Sequence, residues 1–219
     1  MTKPQMKWEA RWSSPGYTPP WRGRPVSKEV VAAVAEEWFA PGDRALDVGC
    51  GAGELTAWLA GRGFQALGID FAAAAIARAQ SAHGKVPGDL DFQVLDICAA
   101  PPSRGGFGAI VDRGCFHSIA QRRLPDYVKN VAAACTPDAH FLLFVKAFRG
   151  EGPIGDPDER EREVAKVRAA FAGEFRIVRV AQTYLDPCEG RCEARALPGL
   201  AIWMARRRRG PRATGGAAA

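Results

Sequence analysis

The sequence predicts an α/β fold, a doubly wound and mostly parallel seven-stranded sheet with an antiparallel last strand. Three observations carry this. Strand-like apolar runs alternate with helix-like runs along most of the 219 residues, the pattern of repeated βα units. A glycine-rich turn, "DVGCGAGE", follows the first strand-like run and opens a helical pattern, where such sheets bind their ligands. The last two strand-like runs are joined by "DPCEGRCEARALPG", too short for a crossover helix, so they pair antiparallel.

The elements follow in order. Ser27 caps a helix in which Val30, Val31, Val34 and Trp38 share a face. "RALDV" is the first strand, and "ELTAWLAGRG" a helix closed by Gly61 or Gly63. "QALGID" is the second strand, followed by the alanine-rich helix "AAAAIARAQSAHG". "LDFQVLDI" and "FGAIVD" are strands three and four. "LPDYVKNVAAAC" is helical, and "HFLLFVKAF" is a strand buried on both faces. "PDEREREVAKVRAAFAG" is an amphipathic helix with Val164, Val167, Ala170 and Phe171 on one side. "FRIVRVAQTYL" and "LAIWMARR" complete the sheet. Residues 1–26 hold tryptophans without apolar periodicity, 27–207 form the domain, and 208–219 a basic, Gly/Ala-rich, disordered tail.

With 47% hydrophobic residues the chain supports one sizeable core. No apolar run approaches the roughly 20 residues that span a bilayer, and "MTKPQMKWEARW" has no signal-peptide stretch, so a cytoplasmic location and no membrane partner are expected. The six cysteines are scattered, which suits reduced thiols better than a disulfide framework. The net charge of +6 comes largely from the tail. Without Arg206 to Arg209 and Arg212, the body holds 25 basic and 24 acidic residues. Such a tail is a solvated end before it is an RNA or lipid contact, and a nucleic-acid partner is disfavoured.

The glycine turn has the spacing Gly49-x-Gly51-x-Gly53, with Glu54 where a G-x-G-x-x-G dinucleotide motif has its third glycine. Asp47 stands two residues before it, and a carboxylate there favours a cationic ligand over a pyrophosphate. Asp70 ends the second strand, placed to accept ribose hydroxyls. Asp96 ends the third, placed to accept an exocyclic amine while the Ile97 N–H donates to a ring. Each aspartate alone also fits a cap or a turn.

The D-x-G-x-G-x-G pattern resembles motif I of the class I S-adenosylmethionine methyltransferases, which are Rossmann-like. "WEARW", "TPPWRGRP", "VDRGCFHSI" and "GPIGDP" are similar to segments of a narrower group, the thiopurine S-methyltransferases and bacterial thiol methyltransferases. The resemblance implies S-adenosylmethionine as cofactor and S-adenosylhomocysteine as product. It implies that residues 1–26 form a lid, with Trp8 and Trp12 on the cofactor and Trp21 closing the same side or facing the acceptor. Gly49, Asp70, Asp96, Ile97 and Arg113 are implied as direct contacts, and Asp47, Gly51, Phe71 and Asp112 accompany them. "DFAAAA" lacks the Ser or Thr the group often has after the second-strand acid, leaving that helix start poorly capped.

These features imply an enzyme that methylates a small molecule, with a thiol as the expected acceptor, because a partly ionised thiol needs no dedicated base. His117 is the candidate base should one be required, or else a packed, hydrogen-bonded residue. Arg113 pairs with the cofactor carboxylate or holds a thiolate. Cys115 is read as packing, since direct displacement needs no covalent intermediate. Cys188 and Cys192 have no matching ligand pair for zinc, so no metal is expected; they are assigned to a loop lining the acceptor pocket. The alternatives are an O- or N-methyltransferase of a small metabolite, an RNA methyltransferase, and a non-catalytic cofactor sensor. A monomer is favoured.

Overall fold

The computed structural model describes residues 3–19, 22, 26–84, 89–146, 157–185 and 198–208. Trp21, Cys188, Cys192 and the tail from residue 209 lie outside them.

The chain opens with helix α1 (Lys3–Ser13), then α2 (Lys28–Ala35). Strands β1 (Arg44–Val48), β2 (Gln65–Asp70), β3 (Leu90–Val94) and β4 (Phe107–Arg113) follow, with α3 (Glu54–Ala60) and α4 (Ala73–His83) after β1 and β2. Two short 3-10 turns (Phe116–Ser118, Gln121–Arg123) lead into α5 (Leu124–Ala134), β5 (Cys135–Lys146), α6 (Pro157–Phe171), β6 (Phe175–Tyr184) and β7 (Pro198–Arg206). The seven strands lie in the order β3-β2-β1-β4-β5-β7-β6. All pairings among β1 to β5 are parallel, and β7 runs antiparallel to both β5 and β6. This is the predicted doubly wound sheet with its reversed last strand.

One apolar layer packs Ile110, Phe141, Leu143, Tyr127, Val131 and Phe171 on one face of the sheet. On the other, α2 and α3 press Val30, Ala33 and Leu59 onto Ala45, Val111, Leu142 and Phe144. The strand order reverses between β2 and β4, on either side of β1. Loops after β1 and β4 therefore diverge and leave a crevice at the C-terminal edge.

Four local expectations are corrected. The N-terminal segment is not irregular: Trp8 and Trp12 sit on α1 at i and i+4, one face of a helix. Helix α2 stops at Ala35, so Trp38 does not extend its face. Instead Trp38 stacks on His140 with ring centroids 3.8 Å apart, and Val31 is left 43% exposed. Strand β3 ends at Val94 rather than Ile97, because Asp96 Oδ1 accepts the Cys98 N–H at 3.0 Å and turns the chain. Strand β5 begins at Cys135, which the sequence had placed on the preceding helix; a register shift between Phe107 and Ala109 of β4 accommodates the extra length.

Candidate functional site

Strand β1 carries Asp47 and the glycine turn to the C-terminal edge. Gly49 and Gly51 have φ of 75° and 56°, a left-handed backbone that side chains disfavour. Packing excludes a side chain as well. A Cβ on Gly49 would lie 2.6 Å from Cβ of Cys115, and one on Gly51 3.0 Å from Cζ2 of Trp12. The glycines thus let the loop after β4 and helix α1 pack onto the turn. Asp47 is buried and accepts Thr56 Oγ1–H at 2.7 Å. Burial pushes its pKa up to about 7 against the Thr56 hydrogen bond, and the neighbouring carboxylates Asp112, Asp70 and Glu54 add to the rise.

Asp70 ties two elements together. Its Oδ2 accepts the Gly51 N–H at 3.1 Å and its Oδ1 the Ala72 N–H at 2.9 Å. The second bond fixes Ala72, the residue before α4, whose start carries no side-chain cap. Each oxygen keeps a lone pair for a ligand hydroxyl. Burial raises the Asp70 pKa, opposed by these two bonds.

Asp96 is held from two directions. Gln5 Nε2 of α1 and Arg123 Nη2 both donate to its Oδ2 at 2.7 Å. Burial opposes its charge, but the hydrogen bonds from Arg123, Gln5 and the Cys98 N–H outweigh this and hold the carboxyl below its ordinary range.

Helix α1 is seated by small residues. Trp12, 3% exposed, packs with Ala72 and Ala75 of the alanine-rich α4, which leave a groove for an indole. Arg78 of α4 secures the chain just beyond α1, donating to the carbonyls of Ser14 at 2.7 Å and Tyr17 at 2.8 Å. Trp8 lies under the Arg11 guanidinium.

Strand β4 ends at two residues with different placements. Arg113 reaches the Leu185 carbonyl at 2.7 Å. Asp112, expected among the cofactor contacts, does not line the cavity described below. Its fully buried carboxylate accepts the N–H groups of Gly114, Cys115 and Phe116 and the Tyr127 hydroxyl at 2.6 Å. It organises the loop that carries His117. Burial raises its pKa to about 6 against those bonds.

A single cavity of about 410 Å³ spans the crevice. Asp47, Gly49, Gly51, Asp70, Phe71, Asp96 and Ile97 line it from β1 to β3, Trp8 and Trp12 from α1, and Arg113 and His117 from the loop after β4. His117 has one side open to solvent, yet crowding of its ring by protein, with the Lys146 charge, holds its pKa below the ordinary 6.5. The thiols of Cys50, Cys98 and Cys115 also line the cavity. Burial raises all three pKa values, that of Cys98 to about 11. They stay protonated at neutral pH and are poor nucleophiles.

Sequence reading missed Gln5, Ser27, Arg123 and Leu185. Gln5 was legible, because it precedes Trp8 by three residues and shares its helical face. Arg123 was not: its partner lies 27 residues away, and no local pattern marks that pairing.

A reversed-order parallel sheet with a glycine turn and two strand-end carboxylates at its switch point defines a nucleotide-cofactor protein. Residues 45–138 match the family described as a methyltransferase domain. The chain is 32% identical over 151 residues to the 2-heptyl-1-hydroxyquinolin-4(1H)-one methyltransferase of Mycobacteroides abscessus. That match covers 65% of this chain and 66% of that enzyme, just under two thirds of each. Among solved structures, one described for the conversion of a disulfide bond into a thioacetal group during echinomycin biosynthesis superposes with a TM-score of 0.75 at 23% identity, covering 94% of both chains. The N-methyltransferase NodS of Bradyrhizobium japonicum, solved with S-adenosylhomocysteine, gives 0.67 at 16% identity over 94% of this chain and 99% of its own. At these identities the likeness is one of fold. The sheet is the Rossmann-like fold of the class I S-adenosylmethionine-dependent methyltransferases, residues 45–138 match the methyltransferase domain, and S-adenosylmethionine is the cofactor that goes with it.

The donor set suits that cofactor. Carboxylates at Asp70 and Asp96 offer acceptors for a ribose diol and an adenine amine, and Asp47 offers negative charge for an ammonium. Asp70→Ala is expected to weaken S-adenosylhomocysteine binding by about 1–3 kcal/mol, read by calorimetry. Affinity should also depend on pH. Asp47 ionises near 7, and a cationic ligand binds its ionised form more tightly. Affinity is therefore expected to rise from pH 6 to 8 by up to about tenfold, with proton release on binding. In the ligand-free protein the sign is opposite. The folded pKa exceeds the unfolded value of 3.8, so the Asp47 contribution to stability is full below that value and lost as pH rises through about 7. Calorimetry in buffers of different ionisation enthalpy counts the protons.

Proposed function

We propose that this enzyme methylates an acidic heteroatom on a small, flat heteroaromatic acceptor. The carrying observation is the far end of the cavity, where a cation and an imidazole, Arg113 and His117, meet apolar walls from Val26, Leu55, Ile119 and Leu185. Such a space accepts a planar apolar body with one ionisable atom. When bound, S-adenosylmethionine supplies a methyl on a sulfonium whose leaving thioether takes the bonding pair, so no protein nucleophile is needed. The protein's part is alignment and dryness. The lid tryptophans exclude water, Arg113 holds the acceptor anion, and His117 takes its proton.

Two acceptor atoms fit. A thiol is the first reading, resting on the tryptophan pair and the D-R-G motif, and its thiolate requires only Arg113. A hydroxyl is the second. It is favoured by the neutral imidazole at His117 and by the relative from Mycobacteroides abscessus, whose acceptor is an N-hydroxyquinolinone. Wild-type enzyme assayed with S-adenosylmethionine against aryl thiols, alkyl thiols, phenols, N-hydroxy heterocycles, amines and RNA tests the reading. Turnover confined to aryl or heteroaryl thiols and hydroxyls is expected. Methylation of RNA or of aliphatic amines alone would overturn it.

A further inference from the structure

Ser27 occupies the N-cap of α2, where a hydroxyl ordinarily turns back to accept a first-turn N–H. Here it does not. The side chain makes no capping bond, and the Val30 and Val31 N–H groups bond the Ser27 carbonyl instead. The residue is 5% exposed, its Oγ has no hydrogen-bond partner among the described residues, and it lines the cavity. A buried hydroxyl without a partner is unfavourable.

The surroundings identify the missing partner. The adjacent Val26 packs on the apolar layer that contains Leu185, and the Leu185 carbonyl receives Arg113. Asp70 and Asp96 stand beyond β2 and β3, on the other side of β1. Ser27 thus borders the acceptor end of the cavity, opposite the carboxylates that suit the nucleoside.

We infer that Ser27 is a specificity-determining residue whose hydroxyl hydrogen-bonds a second heteroatom of the acceptor, a ring nitrogen or ring carbonyl adjacent to the atom that is methylated. This rests on the proposed function. It narrows the acceptor class from aromatic thiols and hydroxyls to those with a neighbouring polar ring position. A hydroxyl both donates and accepts, so it serves a ring carbonyl, a bare ring nitrogen and a ring N–H alike.

The experiment uses matched pairs, pyridine-2-thiol against benzenethiol and 8-hydroxyquinoline against 1-naphthol. The ratio of kcat/KM within a pair is compared between wild type and Ser27→Ala. Loss of one such hydrogen bond is expected to lower the preference for the heteroatom-bearing member about tenfold. Ser27→Thr, which retains the hydroxyl, should retain the preference. S-adenosylhomocysteine affinity of Ser27→Ala should match wild type and its Tm should equal or exceed wild type, because the hydroxyl lies away from the carboxylates that suit the nucleoside and caps no helix. An unchanged ratio, weaker S-adenosylhomocysteine binding, or a lowered Tm without loss of discrimination would each overturn the inference. Wild-type turnover of neither pair would remove the proposed function itself, an outcome distinct from turnover with an unchanged ratio.

Discussion

His117→Ala is expected to lower kcat on a phenolic or N-hydroxy acceptor by about 10²–10⁴-fold, the usual contribution of a positioned general base. On an acidic aryl thiol the same variant should retain most of its activity. The difference follows from where the proton is before reaction. An aryl thiol is largely ionised at neutral pH, and its anion needs a counter-charge, the part proposed for Arg113. A hydroxyl that is still protonated must lose its proton as the new bond forms, and His117 is an imidazole that lines the cavity. Burial first, and the Lys146 charge second, hold its pKa below 6.5, so the ring is neutral at pH 7. The acid limb of the wild-type kcat profile on a hydroxyl acceptor should therefore fall below pH 6.5 and vanish in the variant. Parallel wild-type and variant profiles on every acceptor would show that His117 only packs.

Asp112→Ala is expected to destabilise the fold by at least about 3 kcal/mol, a large share of the 5–15 kcal/mol that holds a domain together. Its carboxylate gathers three backbone N–H groups and the Tyr127 hydroxyl in a fully buried position. Truncation leaves four donors without an acceptor, at about 1–3 kcal/mol each before relaxation. Urea unfolding reads the loss. Asp112→Asn tests the geometry separately: an amide turns a donor toward some of those N–H groups and should recover only part of it. Unfolding midpoints within experimental error of wild type would show that water replaces the carboxylate.

The sheet was legible because its signals are local. Each strand is a short apolar run, each connection is marked by glycine or a strand-end acid, and the short link before β7 dictated its reversal. That Asp47, Gly49, Gly51, Asp70 and Asp96 meet at one cavity was legible for the same reason, since they mark the ends of successive strands. What escaped was tertiary. Asp112 has the same strand-end signature as Asp70, and only the fold shows it bonded to its own loop and Tyr127. The start of α4 carries no side-chain cap, as its sequence implies, and Asp70 fixes only the residue before it. Ser27 was legible as a cap, the role its sequence position specifies and its side chain declines.

The seating of α1 has a mechanical meaning. Arg78 fixes the chain at Ser14 and Tyr17, and Trp12 is wedged against α4 close by. Gln5, near the opposite end, donates to Asp96 Oδ2. A rotation of the helix would have its fulcrum at the C-terminal end. At 1.5 Å per residue its 11 residues make an arm of about 16 Å. A 20° swing about that fulcrum carries the tip about 5–6 Å, enough to part Gln5 from Asp96 while Trp12 near the pivot barely shifts. Such a rotation would have its longest throw beside Asp96, at the end of the cavity that suits the nucleoside.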